Sequence, residues 1–164
     1  MLVLGIDPGS TATGYGLVRG NGAQLTAVTY GIIATRAAVP FPQRLRQIFE
    51  ALRGLMADHR PDAAAVEGMF FARNVQSAIK LGQARGAALL AAALEGVPVF
   101  EYAPRQVKGA VSGFGGAEKA QVQEMVRTLL GLAEPPSPAD AADALALAIC
   151  HHHASGAGGR LVRV

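Results

Sequence analysis

Leu2-Val3-Leu4-Gly5-Ile6-Asp7-Pro8-Gly9-Ser10 is an apolar run that stops on a carboxylate and turns at once. It reads as one buried strand, and the Asp-Pro-Gly that bounds it is turn chemistry. Working outward, Gly14-Tyr15-Gly16-Leu17-Val18 and Gln24 to Ile33 read as two more strands, with Gly20-Asn21-Gly22 as the turn between them. The three make an antiparallel meander. Beyond it the apolar period lengthens: Leu45, Ile48, Phe49, Leu52, Leu55 and Met56 recur at threes and fours between Pro40 and His59. That spacing predicts a helix with Arg44, Arg46, Arg53 and Arg60 on its wet face. Asp62 to Glu67 reads as a buried strand, Asn74 to Leu94 as a long helix and Val97 to Tyr102 as another strand. Helix alternating with strand implies parallel pairing. A short helical piece around Pro104 to Val111, a glycine-rich loop from Ser112 to Gly116, a helix from Ala117 to Leu130 and a last helix from Ser137 to about His153 follow. The expected order is βββαβαβαα. This is an α/β fold: a mixed sheet of three antiparallel and then two parallel strands, flanked by helices. One domain is expected over residues 1–153, and the glycine-rich tail 154–164 is expected to be flexible.

Composition narrows the class. With 164 residues the chain suits one compact unit. The longest uncharged apolar run, Gly86 to Leu94, lies between Arg85 and Glu95 and is too short to cross a bilayer. Asp7 and Pro8 arrive too early for a cleavable leader, so a cytoplasmic protein is expected. Cys150 is the only cysteine, which excludes an intrachain disulfide and a thiolate metal cluster. The net charge of +3 is modest. Its distribution is more telling: from Arg73 to Arg127 the cations Arg73, Lys80, Arg85, Arg105, Lys108, Lys119 and Arg127 stand against Glu95, Glu101, Glu118 and Glu124, a surface suited to a polyanion once the site acids are neutralised.

Four acids stand where folding gains least from them. Asp7 and Glu67 each end an apolar strand, and Asp140 and Asp143 lie in the alanine-rich stretch that opens the last helix. Asp140 also fits a helix-start role, with Ser137 as N-cap and Pro138 at the first position. Asp143, three residues deeper on the same face, has no such role among Ala141, Ala142, Ala144 and Leu145. Asp7 and Glu67 admit turn roles too, but one shared cause accounts for all four. Two carboxylates about 4 Å apart repel by about 4 kcal/mol at an effective dielectric near 20, so a cluster calls for a cation. Oxygen ligands of this kind select Mg²⁺ or Mn²⁺. Two such ions would activate a water for in-line phosphoryl displacement, which is nuclease chemistry. No other engine is visible: Cys150 is in an apolar helix, no serine stands in a nucleophile elbow, and the run His151-His152-His153 reads as a charge feature at a helix C-terminus.

Several longer blocks carry a family resemblance. Gly5-Ile6-Asp7-Pro8-Gly9-Ser10 with Thr13-Gly14-Tyr15-Gly16, Val66-Glu67, Ala78 through Gly86, Glu101 through Lys108, Gly116 through Val122 and Asp140 through Ala146 resemble the RuvC family of bacterial Holliday junction resolvases over residues 1 to about 153. The resemblance implies an RNase H-like fold, a homodimer, and Mg²⁺-dependent cleavage of opposed strands of a four-way DNA junction. It also implies cooperation with a RuvA and RuvB branch-migration complex. Carried over by position, the family's catalytic acids fall on Asp7, Glu67, Asp140 and Asp143, its junction-facing aromatic on Phe70, and its basic DNA contacts on Lys108 and Lys119. Gly68 departs from relatives that carry a polar side chain there, and the tail is short and poorly basic.

The residues argue for DNA contacts on their own terms as well. Phe70 and Phe71 follow Glu67 closely, and base stacking on an aromatic is worth about 1 to 3 kcal/mol. One ring is core, and Phe70 is assigned to DNA. Lys108 and Lys119 flank the glycine-rich loop, and Arg73, Lys80 and Arg85 extend the basic set. In the helix Asn74 to Leu94, the small residues Gly82, Ala84, Gly86, Ala88 and Ala92 leave room for a partner helix, as in a twofold dimer. Two other readings stand beside the resolvase. Gly5 through Thr11 resembles the phosphate loop of an actin-like ATPase, which needs a second half this chain lacks. A related RNA-processing nuclease or a nonenzymatic nucleic-acid-binding module shares the same features.

Overall fold

A computed structural model describes residues 1–21, 24–68, 74–156 and 162–164 of the protein. Ten elements follow in chain order: β1 (Leu2–Asp7), β2 (Ala12–Asn21), β3 (Gln24–Ala34), α1 (Phe41–His59), β4 (Ala63–Glu67), α2 (Val75–Leu94), β5 (Val99–Tyr102), α3 (Pro104–Ser112), α4 (Lys119–Leu130) and α5 (Ala139–Gly156). The five strands form one sheet in the order β3-β2-β1-β4-β5. β1 pairs antiparallel with β2 and parallel with β4, and β5 pairs parallel with β4. The mixed sheet read from the sequence is thus the one observed. The closing helices number three rather than two, because Pro104–Ser112 is a full helix with its own C-cap at Gly113 in the left-handed region.

Alternation along the strands divides the core between the two faces. Leu4, Ile6, Leu17, Ala64 and Val66 pack with Ile48, Leu52 and Met56 of α1 and with Ala84, Ala88 and Ala92 of α2. Val3, Val18, Ala65 and Tyr102 pack with α3, α4 and α5 on the other face. The same alternation turns Asp7, in step with Val3 and Gly5, toward the α5 face, and turns Glu67 the same way in step with Ala65.

Glycine sets how close α5 comes. A Cβ on Gly5 would sit 1.8 Å from the Ala144 carbonyl oxygen, and one on Gly14 would sit 2.0 Å from the Asp140 carbonyl oxygen. Gly14 lies opposite Asp7 in the β1–β2 ladder. Absent side chains on the sheet and alanines on the helix therefore let the α5 backbone rest directly on β1 and β2, beside Asp7.

Four expectations give way to the structure. Arg44 is buried, not on the wet face of α1: its guanidinium donates to the Ser10 carbonyl and, through Nε, to Thr35 Oγ1 at 3.1 Å, pinning the turn that follows Asp7. Ala84, Ala88 and Ala92 face this chain's own core instead of a partner helix. Helix α5 begins at Ala139, and the Ala141 amide donates to the Pro138 carbonyl at 3.0 Å, so Ser137 lies outside the position assigned to its cap. At the C-terminus α5 continues to Gly156, and Val162 to Val164 pair with β5: Glu101 N donates to Val162 O and Val164 N to Val99 O, both at 3.0 Å. Extended backbone finds partners there because β5 is the sheet edge. No described helix is long and apolar enough to cross a membrane.

Candidate active site

Asp7, Asp140 and Asp143 come together where α5 starts across the end of β1. One carboxylate oxygen from each lies within 4.8 Å of the others. Glu67, at the end of the neighbouring strand β4, shares a cavity of about 210 Å³ with Asp7, Asp143, Lys108 and Lys119. The strand ends supply two acids and the first turns of α5 supply the other two.

The electrostatics follow from that crowding. Burial, and then the charges of Asp143, Glu67 and Asp140, push the Asp7 carboxyl up to about 7, while Lys119 opposes the rise. Burial and Asp143 push Glu67 upward too, against Lys119 and Lys108. A divalent cation relieves both causes of the rise, since it offers oxygen ligation in place of lost hydration and cancels the mutual repulsion. The donor set is all carboxylate oxygen, which fits Mg²⁺ or Mn²⁺ better than softer, thiolate-seeking metals.

The cations line the same opening. Lys119 Nζ lies 2.8 Å from Asp143 Oδ2, and Asp143 pushes the Lys119 pKa up. Lys108, on α3, lines the cavity without an ion pair of its own among the described residues. The loop between them carries Phe114, 68% exposed. Lys80 is exposed on α2, away from the cavity lining. Arg85 is turned inward to an ion pair with Glu101 on β5, and its Nε is buried without a partner among the described residues. It lines a second, smaller cavity whose walls include Asp7 and Glu67. Phe70 and Arg73 lie outside the described residues. Gly68 has a local reason: a Cβ there would come within 3.1 Å of Glu101 Oε1.

Two contributions escaped the sequence reading. Arg44 holds the turn after Asp7, and its only sequence signal was a basic residue among apolar neighbours at helical spacing. Tyr102 and His151 join side chains at 2.7 Å behind the site, a contact across the fold that no local pattern announces.

Comparison with known proteins places these features in a lineage. The family model described as crossover junction endodeoxyribonuclease RuvC matches residues 3–151. A protein of that name from Brevibacillus brevis is 56% identical over 151 residues, covering 92% of this chain and 91% of its own length. Another from Chloroflexus aurantiacus is 54% identical over 92% of each chain. Among solved structures, RuvC of T. thermophilus in complex with Holliday junction substrate aligns over the whole of both chains with a TM-score of 0.92 and 38% identity.

Proposed function

The chain belongs to the RuvC family of crossover junction endodeoxyribonucleases, and from that premise we propose that it resolves four-way DNA junctions by hydrolysing phosphodiesters at its carboxylate cluster. The observation that carries this reading is the approach of Asp7, Asp140 and Asp143 to within 4.8 Å of one another, in a cleft flanked by Lys108 and Lys119. Asp7, Glu67, Asp140 and Asp143 would hold Mg²⁺ or Mn²⁺ as a pair of ions per subunit, since four carboxylates match the charge of two divalent cations. When bound, such ions lower the pKa of an attacking water and stabilise charge on the leaving oxygen. The chain's own groups do the rest. Asp7 and Glu67 are held at strand ends, α5 brings Asp140 and Asp143 to them, and Lys108 and Lys119 draw the phosphate backbone into the cleft. In this reading water is the nucleophile and O3′ the leaving oxygen, which gives a 5′-phosphate and a 3′-hydroxyl that a ligase can reseal.

Paired nicks need paired sites. Val75, Ile79, Leu90 and Leu94 leave an exposed apolar stripe along α2, which supports a homodimer joined through this helix. Twofold symmetry then presents identical clefts to opposed strands of a junction. Arg73, Lys80 and Phe70 extend the DNA surface in this reading, and Arg85 supports it from within. The family resemblance supports, as part of this proposal, cooperation with RuvA and RuvB and a cytoplasmic setting. The actin-like ATPase reading is not favoured, because the family match runs through nearly the whole chain, including the α5 acids.

The test is cleavage of an end-labelled synthetic four-way junction, against linear duplex and RNA hybrid, with and without Mg²⁺. Symmetric, ligatable nicks in the junction alone are expected, and Asp7→Asn is expected to bind the junction without cutting it. Cutting by Asp7→Asn at the wild-type rate would defeat the assignment.

A further inference from the structure

Three consecutive histidines lie near the end of α5, and each bonds to a different element. His151 Nδ1 meets the Tyr102 hydroxyl at 2.7 Å, His152 Nε2 the Val18 carbonyl at 3.0 Å, and His153 Nδ1 the Ala110 carbonyl at 2.9 Å. The first is the most enclosed: Tyr102 and His151 are each only 2% exposed. Burial pushes the Tyr102 hydroxyl up to about 12 and His151 down to about 4, so both are neutral between those limits. The bond is therefore one between two neutral groups, and its direction follows the imidazole tautomer. The Phe100 ring, 4.7 Å from the imidazole centroid, holds the ring in place.

The two ends of this bond belong to the two halves of the acid cluster. Tyr102 stands opposite Glu67 in the β4–β5 ladder, and its carbonyl accepts from the Gly68 amide at 2.9 Å. His151 lies on α5 about two turns beyond Asp143. Asp7 is registered against α5 by the glycine seam, whereas Glu67 stands outside the group of three that share a 4.8 Å sphere. Its separation from Asp143 therefore depends on how the β4–β5 edge sits against the helix. Among the described residues, the Tyr102–His151 bond is the buried side-chain hydrogen bond that joins those two bodies.

We infer that Tyr102 and His151 are positioning residues that set Glu67 against Asp143, so that a divalent cation meets Glu67 together with the three aspartates. The inference rests on the metal-binding reading above. Outer partners of metal ligands commonly govern affinity by about tenfold or more, while a bond that only packs the core carries stability and leaves affinity alone.

The test is Mn²⁺ binding to the full chain without DNA, read by electron paramagnetic resonance of the free ion, with the thermal unfolding midpoint measured on each variant. Tyr102→Phe removes a single oxygen and keeps the ring. It and His151→Phe are each expected to weaken Mn²⁺ binding about tenfold while remaining cooperatively folded. The double variant should lose no more than either single one, because one bond is removed in all three. His151→Gln, whose side-chain amide can accept from or donate to the Tyr102 hydroxyl, should restore most of the affinity. Wild-type affinity in Tyr102→Phe would overturn the inference, as would additive losses in the double variant. Failure of the metal reading itself looks different: Asp7→Asn would then bind Mn²⁺ as tightly as the wild type.

Discussion

Lys119 Nζ lies 2.8 Å from Asp143 Oδ2, and Lys119 is the first residue of α4. A cation at that end of a helix opposes the helix dipole, at a cost of about 0.3 to 1 kcal/mol. The lysine is thus placed against local preference, and its compensation comes from the acid cluster across the cleft.

If Lys119 is shared between Asp143 and DNA phosphate, removing it should act on both. Lys119→Gln is expected to move the Asp7 titration above about 7, since Lys119 holds it down, and carboxyl-carbon NMR titration would show it. In junction binding, the slope of log affinity against log salt should fall by about one. An unchanged slope would remove Lys119 from the phosphate contacts.

The raised Asp7 pKa has a definite sign in stability. An acid whose folded value exceeds its ordinary value of 3.8 keeps its proton better in the fold, so its contribution is present at low pH and is lost as pH rises toward about 7. His151 works in the opposite direction, because its folded value of about 4 makes stability fall as pH drops below the ordinary histidine range. Comparing Asp7→Asn with wild type cancels the histidine. The variant's advantage in unfolding free energy should grow from about pH 4 to about pH 7 in chelator, and shrink when Mg²⁺ is added. A constant difference across that range would mean Asp7 is not perturbed.

Gly5 and Gly54 make a matched pair. Gly5→Ala would drive a methyl into the Ala144 carbonyl. A loss of about 1 to 3 kcal/mol, or more, is expected together with loss of nicking as α5 is pushed away. Gly54, inside α1, has nothing within 4 Å of the place a methyl would take, so Gly54→Ala should gain up to about 1 kcal/mol from helix propensity and leave activity alone. Chemical denaturation and junction cleavage on both variants check the contrast.

The exposed stripe on α2 gives a test of assembly. Leu90→Glu is expected to leave the fold intact, since Leu90 is 54% exposed, and to shift sedimentation from dimer to monomer. Paired nicking should fall more than single-strand nicking. Sedimentation as a dimer in the variant would move the interface elsewhere.

Strand and helix existence was legible because the apolar period is strong from Leu2 to Ile6 and from Leu45 to Met56, and the site acids were legible because each interrupts such a pattern. What stayed hidden depends on contacts distant in sequence. Arg44 is buried because a carbonyl of the β1–β2 turn waits for it, and nothing in α1 itself says so. The alanines of α2 suit a partner helix or the home core equally well until the sheet is built, and the larger Val75, Ile79, Leu90 and Leu94 mark the open side. The histidines looked alike in a row, yet helical rotation sends each to a different neighbour.

Val162 to Val164 lie along β5 and occupy the backbone groups of the last strand in the sheet. The chain thereby closes one of the two edges of its sheet against intermolecular stacking. Shortening it by three residues, or fusing a bulky tag there, would uncover that border and favour clumping at high concentration with no change in the chemistry of the cleft.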